Sequence, residues 1–167
     1  MFSSISTFLK VWEDEAQMTQ RILDACTDDS LQQRVSADDR TLGRIAWHIV
    51  CTVHEMMSRT GLQFEAVSEH QPVPSSARDI AEAWRNTSAS FVEAIRSQWS
   101  DATLQEVREM YGEQWSNGYT LQMLILHMVH HRGQMTVLMR QAGLRVPGTY
   151  GPAREEWSNM SMEPPAL

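Results

Sequence analysis

The chain has 167 residues, 42% of them hydrophobic and 21% charged, which is the composition of an ordinary folded domain able to bury one full core. A formal net charge of −7 with no basic run excludes nucleic acid as the main partner, because phosphate binding draws on clustered Lys and Arg. No apolar run approaches the roughly 20 residues a membrane-spanning helix needs.

The N-terminal stretch MFSSISTFLKVWEDE lacks the positive start of a signal peptide and reaches its acidic cluster before any long apolar block. Cys26 and Cys51 are too few for a disulfide framework. The expected compartment is a reducing cytoplasm.

Four segments carry helical periodicity. In the first, Ile5, Phe8, Leu9, Trp12, Ala16, Ile22, Leu23 and Cys26 recur at steps of three and four, and the polar TDDS ends the run. The second starts at Thr41, a side chain suited to an N-cap. It carries Leu42, Ile45, Ala46, Ile49, Val53 and Met56 before closing at Gly61.

QPVPSS then forbids helix continuation through its prolines, and Ser75 or Ser76 is placed to cap the third helix. That helix carries Ile80, Ala83, Trp84, Phe91, Ile95 and Trp99. Residues 101–118 fit either a short helix or a loose hairpin turning at Asn117-Gly118. The fourth helix is expected to open at Thr120 and run to about Gly143 through Leu121, Leu124, Ile125, Met128, Met135, Leu138 and Met139.

The remainder, rich in Pro and Gly, cannot be one helix, and Tyr150 and Trp157 predict that it packs onto the body. The expected organisation is a single all-α domain, with a four-helix bundle over residues 1–145 and a packed tail over 146–167.

HMVHHRGQM places half of the six histidines within five positions, 127 to 131. Residues four apart on a helix differ by about 40° and about 6 Å of rise, so His127 and His131 project side by side and can share one ion. His130 lies about 100° round from His131 and stands outside the pair. A third ligand has to come from another helix.

His48, His54, His70 and the carboxylates are candidates, and His48 is best placed, at the edge of its own apolar stripe where two bundle helices face each other. Histidines at such borders are also common as plain structural residues. Thr52 and Glu55 follow His48 by four and seven residues, and either can orient a ring or carry a proton. The simpler account makes them an ordinary helix threonine and an exposed carboxylate.

These residues resemble the DinB-like family of the DinB/YfiT-like superfamily. HMVHHRGQM is similar to its H-x-x-x-H-R-G-Q signature, TLGRIAWHIV to the stretch bearing its first histidine, and VPGTYGPAREEW to the close of many members. The resemblance implies a four-helix bundle holding one divalent ion on His48, His127 and His131. Imidazole ligands suit zinc or nickel, and other first-row ions nearly as well.

It also implies homodimers formed through bundle helices, and a small-molecule substrate in thiol-dependent transfer, with a low-molecular-weight thiol, or in metal-dependent hydrolysis. A metal that merely braces the bundle would instead take a fourth protein ligand such as Cys51 or Glu55. Two further expectations attach to the signature. Gly133 inside a helix suggests close approach of another backbone, and Arg132 either anchors an acidic partner or the tail's Glu155 or Glu156, or is an ordinary solvated arginine.

Overall fold

A computed structural model describes every residue except Glu69, Met162, Pro164, Pro165 and Leu167. Part of the expected tail therefore lies outside the described residues. Four helices form the body: α1 (Ile5–Asp24), α2 (Leu42–Ser58), α3 (Ala77–Gln98) and α4 (Asn117–Gln141). Between α3 and α4 stands an antiparallel hairpin of β1 (Val107–Met110) and β2 (Glu113–Ser116). The bundle is as expected, with this two-stranded sheet added.

Each helix starts at a hydroxyl cap that accepts one of the N–H groups left unpaired in its first turn. Thr41 Oγ1 accepts from Arg44 N–H at 3.1 Å, and Ser76 rather than Ser75 caps α3, accepting from Asp79 N–H at 3.2 Å. α4 is capped by Ser116 through Tyr119 N–H, so it begins three residues before the expected Thr120.

The hairpin does not turn at Asn117-Gly118. Its turn is Tyr111-Gly112, where φ is +56° and +85°, the two positive values that a tight two-residue hairpin turn requires. Asn117 and Gly118 serve the start of α4. The Asn117 side chain donates to Thr103 O at 3.0 Å, and a Cβ on Gly118 would strike the backbone carbonyl of Phe2.

α1 packs against α3 and α2 against α4. Phe8, Trp12, Trp84 and Phe91 form the aromatic centre of the first pair, with Trp12 edge-on to Phe91 at a centroid distance of 4.7 Å. The indole N–H of Trp12 donates to Ser88 Oγ and that of Trp84 to Ala16 O, so neither ring is buried with an unpaired donor. α2 is covered nearly all round, with Trp47, Val50, Cys51 and Met57 buried besides the expected stripe.

The tail docks through buried Val146 and Ala153. Glu156 ties it into a loop by accepting from the N–H groups of Gly148 and Ala153, each at 3.0 Å.

Arg132 is 2% exposed and meets Glu15 of α1 at 2.6 Å, not Glu155 or Glu156. Its second amino group reaches Glu15 O and Thr19 Oγ1, and the Tyr150 hydroxyl of the tail bridges Arg132 and Glu15. The fork of donors on guanidinium explains the choice: a buried arginine needs several acceptors, and α1 offers them. Gly133, by contrast, has nothing within 4 Å of where its Cβ would stand. Among the described residues the close approach expected there is absent, and one occurs instead at Gly118.

Candidate metal centre

His48 stands in the second turn of α2, and His127 and His131 are one turn apart on α4, the helix packed against α2. The rings converge. Nε2 of His127 lies 3.3 Å from Nε2 of His48 and 3.1 Å from Nε2 of His131. All three donor atoms fall within 4.8 Å of one another, and among the described residues they form the cluster that could hold a metal ion.

At a metal–nitrogen distance of about 2.0–2.1 Å, two tetrahedral ligand nitrogens stand about 3.3 Å apart. Two edges of the triangle already match that spacing. His54 instead meets Phe64 edge-on at a centroid distance of 5.4 Å, and His70 lines the nearby cavity without joining the cluster.

The hydrogen bonds on the outer nitrogens fit the same arrangement. Nδ1 of His131 lies 2.7 Å from Gln134 Oε1, an acceptor, so that nitrogen carries the proton and Nε2 keeps its lone pair. Thr52 gives its own proton to His48 O at 2.7 Å, leaving its oxygen to accept from His48 Nδ1 at 3.5 Å, near the outer limit for such a bond. Nδ1 of His127 is buried with no partner among the described residues.

Lone pairs pointed at one another repel unless a proton or a cation stands between them. A second proton, which would make any of these rings an imidazolium, is disfavoured here. Burial, then the neighbouring imidazoles, push His48 down to about 4, and burial, then His131 and His130, do the same to His127. His131 is lowered as well, first by burial. Three neutral imidazoles that resist protonation have the chemistry of a divalent-ion site with room for further ligands.

His48 and His127 open onto a cavity of about 630 Å³ whose lining includes Arg44, Thr52, Glu55, Tyr111 and Trp115. Glu55 makes no hydrogen bond to the triad among the described residues. Its Oε1 accepts from Arg59 Nε at 3.0 Å and its Oε2 from the Tyr111 hydroxyl at 2.6 Å, while the Arg59 guanidinium lies 4.9 Å over the Tyr111 ring. Glu55 is thus a cavity residue and Thr52 the neighbour of His48. Cys51 turns its sulfur toward Ser68 O at 3.8 Å, outside the cluster.

The sequence reasoning missed Tyr111 and Trp115, which reach the cavity only because the hairpin folds over it. It also missed Gln134, whose spacing of three from His131 was the available signal.

A Bacillus subtilis (strain 168) protein described as "Uncharacterized protein YrdA" is 51% identical to this chain over 167 residues, the full length of both. The crystal structure of a DinB-like protein from Bacillus cereus ATCC 10987 superposes with a TM-score of 0.87 at 47% identity, covering 90% of this chain and 100% of that one. A DinB-like protein from Bacillus subtilis gives a TM-score of 0.68 over 86% of this chain and 97% of its own, and at 13% identity that likeness concerns the fold alone. Residues 1–165 match the DinB family, and the chain belongs to it.

Proposed function

We propose that the protein binds one divalent metal ion, zinc or nickel before other first-row ions, through His48, His127 and His131. The ion's open side then serves a metal-dependent reaction on a small molecule. The convergence of three Nε2 atoms at the edge of a lined cavity is the observation that carries this reading. A bound ion of this kind supplies a water or thiol acidified to near neutral pH. The two reactions that fit are thiol-dependent transfer, with a low-molecular-weight thiol as co-substrate, and hydrolysis.

The chain's own residues divide the remaining work. Arg44, one turn before His48, brings positive charge to the cavity and makes no ion pair among the described residues. The Tyr111 hydroxyl donates to the Glu55 carboxylate at 2.6 Å, and the two form the proton-handling pair. Trp115, Met56 and Met123 supply apolar wall that holds a substrate and excludes water.

A metal used only as a brace would draw on Cys51 or Glu55 as a fourth ligand, and both are engaged elsewhere. No helix among the described residues is long and apolar enough to cross a membrane, which fits action on a small molecule in the cytoplasm. Tyr119, Leu126 and Val137 stay exposed along one face of α4, which supports a homodimer through that helix.

The test is elemental analysis of untagged protein, followed by paired assays of thiol conjugation and ester hydrolysis. We expect about one equivalent of metal per chain and an activity lost in His127→Ala. Less than about half an equivalent overturns the metal assignment. A loaded protein inactive in both assays overturns the enzymatic one.

A further inference from the structure

His130 lies outside the triad, and Gln134 is not a ligand, yet the two are joined to it in one chain of hydrogen bonds. We propose that Gln134, itself aimed by His130, is the positioning residue that holds His131 in the tautomer able to take the ion. The proposal rests on the metal reading above.

A neutral imidazole carries one proton on either of two nitrogens. Placed on Nε2 of His131, that proton would point at His127 and occupy the space between the three rings. Placed on Nδ1, it leaves the lone pair where a ligand needs it. At 2.7 Å, Gln134 Oε1 accepts from Nδ1 and selects the second form.

An amide has two unlike ends, and something has to decide which one faces His131. The other end of Gln134 stands 3.1 Å from Nε2 of His130, and its NH2 donates to that ring's lone pair. This orientation pairs Nδ1–H of His131 with an Nε2 lone pair on His130, so the tautomers of the two rings are coupled through the amide. With the amide reversed, NH2 would face His131 Nδ1 and drive the proton to the wrong nitrogen.

Helix geometry permits the arrangement, since 134 follows 131 by three and 130 by four, placing both rings within reach of one long side chain. The other two rings are held less well. His48 has Thr52 at 3.5 Å, and His127 Nδ1 has no partner among the described residues. The orienting contact on His131 is the shortest of the set.

The first measurement is long-range proton–nitrogen NMR of metal-free protein, well above the imidazole pKa of about 6.5. We expect His131 as the Nδ1–H form in the wild type and a mixture in Gln134→Leu. His131 carrying its proton on Nε2 in the wild type overturns the proposal, and this result does not depend on whether any metal binds. His130→Ala frees the far end of the amide and should also give a mixture; a His131 that stays wholly Nδ1–H there removes His130 from the proposal.

The second measurement is cobalt titration followed by visible absorption. Gln134→Leu should weaken binding by about 10- to 100-fold, the usual cost of losing a ligand's hydrogen-bond partner, while Gln134→Glu, which still accepts from Nδ1–H, retains it. Equal affinity in Gln134→Leu and the wild type overturns the proposal. Gln134 is exposed, so these variants leave the core intact.

Discussion

His48 and His127 bring their Nε2 atoms within 3.3 Å although 79 residues separate them in the chain. The contact exists only because α2 packs on α4, so anything that joins these two nitrogens also ties the two helices together.

Metal binding should therefore stabilise the fold. At about one hundred times the dissociation constant, a ligand that binds only the native state adds about 2.7 kcal/mol. For a chain of this size each kcal/mol shifts Tm by about 2–4 °C. Thermal melts with added zinc should show that rise in wild type and none in His48→Ala or His127→Ala. A flat response in wild type contradicts the shared site.

Without metal, stability should fall on acidification. Folding lowers His48 and His127 from the ordinary 6.5 to about 4, chiefly by burial, so between those values the unfolded chain binds more protons than the native one. The native state loses ground as pH drops from 6.5 towards 4, and the loss is complete below that. Both rings are only partly buried, and solvent screening limits the size of the effect. Urea midpoints of chelator-treated protein at several pH values should fall more steeply in wild type than in a His48→Gln/His127→Gln double variant. Parallel curves for the two proteins exclude this origin.

Arg132 and Glu15 form a buried pair at 2.6 Å, with side chains 2% and 9% exposed. Removing one partner strands the other charge, and Arg132→Met should lower stability by about 3–5 kcal/mol. The Glu15→Leu/Arg132→Met double variant should recover much of that loss, as apolar replacement of a whole buried pair often does. Chemical denaturation of the three proteins completes the comparison, and a double variant no better than the single one argues that the pair contributes more than charge compensation.

Two glycines of α4 should respond in opposite directions. Gly133→Ala meets open space and should stabilise the chain by about 0.5–1 kcal/mol through lower unfolded-state entropy. Gly118→Ala drives a methyl group into Phe2 O and should destabilise it. A loss of stability in Gly133→Ala would instead mean that a second copy of α4 lies against this residue, alongside exposed Leu126 and Val137. Melting curves at two protein concentrations separate the cases.

The histidine triad was legible because helical spacing is a strong constraint: His127 and His131 had to share a face, and His48 sat at a stripe edge. Thr41 was legible as a cap for the same local reason. What failed depended on distant partners. Asn117-Gly118 has turn chemistry, but its use is set by Thr103 and Phe2, which no local pattern reveals. Arg132 found Glu15, 117 positions away, because the packing of α1 on α4 delivers carboxylate, carbonyl and hydroxyl together. Tyr111 reached the cavity through a turn whose backbone would favour Asn or Gly at that position.

That turn divides the labour of the molecule. Two rigid helices present the imidazoles, whereas a four-residue ribbon on each side of Tyr111-Gly112 furnishes one wall of the chamber beside them. Descendants of such a scaffold can exchange the ribbon, and with it the shape of what enters, while the imidazole framework stays untouched. Grafting a relative's residues 107–116 onto this chain would accordingly alter selectivity first and cation affinity least.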